Sequence, residues 1–103
     1  MKEGYIYRLR FPYEERQEAK MRPVLIIVLS DDGNQALGLK ITGSPRYNRI
    51  PIINSPYSGL TKRSYVQFDR YKKFKNIHIK EIGVLSKQDF KNITRTFIKY
   101  HDL

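Results

Sequence analysis

Arg22 and Thr42 are the residues whose types and placement could act on a phosphodiester. Arg22 stands in Ala19-Lys-Met-Arg-Pro-Val-Leu-Ile-Ile-Val-Leu29, a fixed charge and a proline set directly ahead of the most apolar run in the chain. A buried strand has no use for a guanidinium. Proline is tolerated at the first position of a strand, where no ladder hydrogen bond need be donated, and it biases the preceding residue towards extended geometry. The pair therefore delivers an arginine, with its direction restricted, to the mouth of a buried strand. Thr42 closes Lys40-Ile-Thr-Gly43, the end of the expected partner strand. In an antiparallel pair those two positions are neighbours. A fork-shaped cation beside a hydroxyl donor suits the non-bridging oxygens of a phosphodiester. Spacing alone equally supports an Arg22 that pairs with a loop glutamate and a Thr42 that merely ends a strand. Gln67 and Asp69, in Ser64-Tyr-Val-Gln-Phe-Asp69, complete the polar groups near strand ends.

Other chemistries find less in the sequence. There is no cysteine, which removes thiol nucleophiles, disulfides and cysteine zinc sites. Of the two histidines, His78 lies in Ile77-His-Ile-Lys80 and His101 near the chain's end, and both read as solvated or partly packed. No acidic or histidine cluster has metal-ligand spacing, so no metal or other cofactor is expected. No glycine-rich phosphate loop precedes a helix, and no nucleophile elbow marks a serine hydrolase.

The charge balance points to the partner. Twenty Lys and Arg against ten Asp and Glu leave a net charge of +10, strong for 103 residues. Such a surface draws in polyanions and speeds encounter with them. RNA, DNA, an anionic membrane and an acidic protein all remain open at this level. A single domain over residues 1–103 is expected, since the chain suffices for one core and is short for two. Val24–Leu29 is too short to span a bilayer and no signal-peptide apolar region precedes it, so a cytoplasmic protein is the expectation.

The elements that must position these groups follow from periodicity. Gly4 to Phe11 alternates, with Tyr5, Tyr7, Leu9 and Phe11 on one face and Ile6, Arg8 and Arg10 on the other, as in a half-buried strand. Pro12 to Met21 has no clear period and is dense in charge, which suggests a long exposed loop. Val24–Leu29 and Gln35–Thr42, joined by Asp31-Asp-Gly-Asn34, read as the central hairpin. Ile50–Ile53 reads as an edge strand because of Pro51, Ser64–Phe68 as another strand, and Ile77–Ile82 as a last one ending at Gly83. Arg70-Tyr-Lys-Lys-Phe-Lys75 between them is a basic, aromatic stretch. Ser86 opens a helix, with Asp89 at near capping-box spacing. Phe90, Ile93, Thr94, Phe97, Ile98 and His101 then share one helical face. Short strands with a terminal helix suggest an α+β fold by count, mainly β, as a small and strongly bent barrel.

Arg22-Pro-Val-Leu25, Ile41-Thr42, Gly59-Leu60 with Ser64-Tyr-Val66, and Ile82-Gly83 with Leu85-Ser86 together resemble the MazF/PemK toxin family in order and spacing, over nearly the whole chain. The resemblance implies an SH3-like barrel, a homodimer, and a ribosome-independent, metal-free endoribonuclease of a type II toxin-antitoxin pair. Its substrate would be single-stranded RNA and its protein partner a cognate antitoxin with an acidic or amphipathic tail. The family's catalytic arginine and threonine fall on Arg22 and Thr42. The sequence departs from the family with Gly43 where serine is frequent. It departs again with Gln67, two residues before Asp69, where the PemK-like branch has arginine. Asp69 is the candidate for acid or base work. RNA contacts would come from the loop between Pro12 and Met21 acting as a lid, with Tyr13 as a stacking ring, and from Arg46, Tyr47, Arg49, Lys62, Arg63, Arg70, Tyr71, Lys72 and Lys73. Two rival readings are a gyrase poison of the CcdB kind and a nucleic-acid-binding module without activity. The first is disfavoured by the absence of tryptophan and the His101-Asp-Leu103 end.

Overall fold

Alternation and β-branched runs make strands the main regular element of the molecule. The computed structural model describes residues 1–13 and 17–103. Its elements are β1 (Tyr5–Pro12), β2 (Ala19–Leu29), β3 (Gln35–Thr42), β4 (Arg49–Pro51), β5 (Tyr65–Gln67), β6 (Lys72–Lys75), β7 (Gly83–Val84) and the helix α1 (Lys87–Tyr100). The sheet runs β4-β5-β3-β2-β1-β7, with β6 also paired to β3. The fold is mainly β, a curled half-barrel carrying one C-terminal helix, as the periodicity suggests.

The curl comes from β3, which serves different neighbours along its length. Gln35–Gly38 pairs with β6, whereas Ile41 and Thr42 pair with Val66 and Tyr65 of β5. A register shift between Ile26 and Val28 of β2 adds a bulge to the β2–β3 pair, and bulges bend the strand that carries them. The turn between these strands is closed by Asp32, whose carboxylate accepts from Ser30 Oγ (2.6 Å) and the Asn34 amide (3.0 Å), with Gly33 at φ +74°.

Apolar residues fill both faces of the curl. One cluster contains Ile6, Leu25, Ile27, Leu39, Ile41 and Val66 and is covered by Leu85, Ile93 and Phe97. The other holds Tyr7, Leu9, Phe11, Val24, Ile26 and Ala36 beneath Phe74 of β6. Gly38 is needed there, because a β-carbon would sit 2.5 Å from Val24 Cγ1 and 2.6 Å from Phe74 Cε2. On α1, Ser86 Oγ accepts from the Asp89 amide at 3.1 Å and caps the helix as expected. Asp89 does not complete a capping box. Its buried carboxylate instead accepts from the Ile53 and Asn54 amides and from Ser55 Oγ. Phe97 is buried under the sheet, and truncating it to alanine would cost about 3–5 kcal/mol. His101 is partly packed, its Nε2 2.9 Å from the Phe68 carbonyl and its ring among Phe97, Tyr71 and Tyr100.

Three sequence expectations are corrected. The long loop from Pro12 to Met21 is shorter than expected, since Arg10–Pro12 pairs with Met21–Ala19 and extends the β1–β2 ribbon; the tip of the expected lid, residues 14–16, lies outside the described residues. The basic stretch after Arg70 is strand β6 from Lys72 onward, anchored by Phe74. Residues 77–82 form no strand, and only Gly83–Val84 pairs with β1. Asn76 adopts φ +52°, a left-handed turn that diverts the chain as it leaves β6.

Backbones also meet closely around Gly59 and Gly83. A β-carbon on Gly59 would collide with the Ile82 carbonyl oxygen, and one on Gly83 with the Ser58 carbonyl oxygen. The segments are tied by the Val84 amide donating to the Tyr57 carbonyl at 2.9 Å.

Candidate functional site

The strands that meet at Pro23 place the site. β2 pairs with β3 only from Val24, opposite Lys40, onward. Before that point Ala19–Pro23 stays with β1, while Ile41 and Thr42 turn away to β5. Pro23 thus lies inside β2 rather than at its start, at the point where one neighbour departs, which is where a residue without an amide donor is tolerated. The parting strands leave a cleft of about 500 Å³.

Arg22 and Thr42 both line this cleft, one from each departing strand. Thr42 Oγ1 accepts from the Ser44 amide at 3.4 Å. Its hydroxyl proton is left to donate to something in the cleft. Lys62, Leu60 and Gly59 form another wall, with Ile82 beside them. Ser64, nearly buried, donates from Oγ to the Lys62 carbonyl at 2.9 Å and holds the chain at the base of that wall.

Charge in the cleft is of one sign. Arg8, Lys20, Arg22 and Lys62 line it, and no aspartate, glutamate or histidine does so among the described residues. Sequence reasoning proposed Lys62 and missed Arg8 and Lys20. Lys20 and Arg22 are two apart, the spacing that puts side chains on one face of a strand. That signal went unused because residues 12–21 lack the apolar alternation that announces a strand. A cleft whose walls carry only cations concentrates anions and holds them with little competition from the protein's own carboxylates.

The other sequence-derived residues lie elsewhere. Gln67 is 1 % exposed and accepts from Arg49 Nε at 3.2 Å. Asp69 accepts from Asn48 Nδ2 at 2.9 Å through one oxygen, and its other oxygen is buried without a hydrogen-bond partner. Neither lines the cleft with Arg22 and Thr42. Arg46 and Arg70 are exposed outside it. Lys72 donates to the Arg10 carbonyl at 3.2 Å, and its ammonium sits 5.1 Å from the Phe74 ring centre. Lys73 lines a small cavity with Val28 and Leu37. Both belong to β6, which flanks the first half of β3, remote from Thr42 at its last position. Tyr13 is half-buried at the mouth of the ribbon, where its amide donates to the Glu18 carbonyl at 3.0 Å. Among the described residues no group of three or more His, Cys, Asp or Glu could hold a metal ion. No helix among them is long and apolar enough to cross a membrane.

No family model and no curated protein matches the sequence. Solved structures match its fold from end to end. One is an endoribonuclease in complex with its cognate antitoxin, from mycobacterial species. It is 17 % identical with a TM-score of 0.72, and the match covers 98 % of this chain and 94 % of that one. A second is the Mycobacterium tuberculosis toxin MazF-mt6, 20 % identical with a TM-score of 0.68, matched over 96 % of this chain and 97 % of its own. The chain therefore has a MazF-like fold, the one its ordered motifs resemble.

Proposed function

We propose that this protein is a metal-independent endoribonuclease toxin of a type II toxin-antitoxin pair, acting in the cytoplasm on single-stranded RNA. The observation that carries the reading is the convergence of Arg22 and Thr42 on one cleft whose charged lining, among the described residues, is cationic. The fold shared with the matched endoribonuclease and the matched MazF toxin agrees with it.

In the proposed reaction the ribose 2′-oxygen attacks the adjacent phosphorus and the bond to the 5′-oxygen breaks. The products are a 2′,3′-cyclic phosphate and a 5′-hydroxyl end. Negative charge grows on the two non-bridging oxygens as the fifth bond to phosphorus forms. The Arg22 guanidinium offers two parallel donors to those oxygens, and the Thr42 hydroxyl offers a third. Donors fixed in advance are worth about 10²–10³ in rate each. Arginine stays protonated and takes no proton. Among the described lining residues there is no carboxylate or imidazole, and the reading gives the 2′ proton to water, with water reprotonating the 5′-oxygen. Lys20, Arg8 and Lys62 would hold the flanking phosphates, and the wide mouth admits an unpaired strand.

The protein partners follow the same chemistry. A short antitoxin with an acidic or amphipathic tail would seat its carboxylates among the four cations, in competition with RNA. The active form is read as a homodimer. The test is incubation of the purified protein with a long RNA in EDTA, followed by mapping of the ends. Cleavage that leaves 5′-hydroxyl ends and is lost in Arg22→Ala, with the fold retained, is expected. Retained cleavage in that variant removes Arg22 from the mechanism, and an intact RNA with the wild-type protein rejects the enzyme.

A further inference from the structure

Lys62 borders a second hollow as well as the cleft. This one has a volume of about 350 Å³ and is lined by residues that include Ile52, Asn54, Ser55, Leu60, Lys62 and Arg63. Leu60, Lys62 and Ser64 belong to both, so the two adjoin. Its chemistry differs from the cleft's. Ile52 and Leu60 are partly buried and pack on the main core, giving an apolar floor. Two cations and one amide stand at the rim. An apolar surface flanked by cations, with a group that both donates and accepts, is the environment an unpaired nucleobase takes up beside its own phosphates.

The backbone beneath the amide is pinned. Asp89 Oδ2 accepts from the Ile53 amide (3.2 Å), the Asn54 amide (3.0 Å) and Ser55 Oγ (2.6 Å). Ser55 Oγ in turn accepts from the Ser86 amide at 2.9 Å, which ties residues 53–55 to the start of α1. Asp89 is 3 % exposed, so water does not compete for these bonds. The Asn54 side chain, by contrast, is exposed and makes no hydrogen bond among the described residues. An amide carrying two donors and an acceptor, all unused, on a rigidly held main chain, is placed to read and not to support.

We propose that this hollow receives the base of a nucleotide neighbouring the scissile phosphate, with the Asn54 amide reading the base edge and Lys62 and Arg63 holding the phosphates on either side. The assignment rests on the endoribonuclease reading for the identity of the polymer, and makes Asn54 a determinant of sequence selectivity with no part in bond cleavage.

The test uses two pools of random-sequence single-stranded RNA. One is 2′-O-methylated, so that 2′ attack is blocked, and is sequenced after binding to the wild-type protein or to Asn54→Ala. The other is unmodified and is used to map cut sites. The wild type is expected to select a base at one position beside the cut. Asn54→Ala should flatten that preference roughly tenfold, the scale of a lost two-point base contact, and should leave the other positions and the 5′-hydroxyl ends unchanged. Unaltered preference at every position in Asn54→Ala overturns the assignment while leaving the nuclease intact. Selective binding that depends on Asn54, without any cutting, upholds the hollow and rejects the nuclease. Absence of RNA binding rejects both.

Discussion

The ammonium of Lys62 lies against Gly43: its Cε and Nζ are 3.2 and 3.3 Å from the point that a β-carbon on Gly43 would occupy. The glycine that departs from the serine frequent in the resembled family thus makes room for a cation at the end of β3. Gly43→Ser should push the lysine tip aside without disturbing the fold, because the displaced atoms end a flexible chain. RNA affinity should fall about two- to fivefold and the salt dependence should become shallower by up to about one phosphate's worth. Titrations at several salt concentrations check this; an unchanged slope means Lys62 is no phosphate contact.

Thr42 separates hydrogen bonding from shape. Thr42→Val keeps the volume and removes the hydroxyl, so kcat should fall about 10² with KM little changed. Thr42→Ser should recover most of that rate. Equal loss in both variants would mean that the methyl group, which valine keeps and serine lacks, matters as much as the hydroxyl.

Asp69 is held by Asn48, outside the cleft. Asp69→Asn should therefore leave kcat unchanged across neutral pH, with its effect confined to thermal stability. A marked fall in kcat would return Asp69 to proton transfer.

Asp89 carries the junction between α1 and residues 53–55. Asp89→Ala strands two amides and a hydroxyl that now bond to one buried oxygen, at a cost of about 2–4 kcal/mol. For a chain of this size that lowers Tm by roughly 10 °C or more. Calorimetry of the variant gives the value, and a shift of only a degree or two would mean that the loop is held by other contacts.

Tyr7 ties part of the stability to alkaline pH. Burial raises its phenol above the ordinary tyrosine value of about 10, and the nearby Glu81 charge adds to this, although the Lys2 amide that donates to its oxygen at 3.0 Å opposes the shift. A folded pKa above the unfolded one gives stability that is full below the unfolded value and is lost as pH rises through the folded one. Ultraviolet titration should show one tyrosine ionising after the others, together with a decline in denaturant midpoint above about pH 10. Tyr7→Phe should remove that decline.

What the sequence shows of this molecule depends on whether a segment faces one environment or two. Val24–Leu29 and Gln35–Thr42 are buried centrally and read plainly as strands, as does α1 from Ser86 and its Ile93 and Phe97 stripe. That Arg22 and Thr42 share a cleft was accessible for the same reason, since both lie just past the paired stretch of one hairpin. The outer part of the β1–β2 ribbon carries polar residues and so shows no period, which hid Lys20 and left Ala19–Met21 read as loop. Conversely, residues 77–82 alternate convincingly but follow the left-handed turn at Asn76 and find no ladder. Gln67 and Asp69 sit close in sequence to a strand that borders the site. Only three-dimensional placement shows that their side chains serve Arg49 and Asn48.

The touching main chains at Gly59 and Gly83 weld the wall bearing Leu60 and Lys62 to the strand that leads into the helix. A ligand that steadied this wall would steady the helix mount as well. Occupancy of the cleft should accordingly be felt as slowed amide exchange far from the bound molecule, in α1, with no hinge to absorb it.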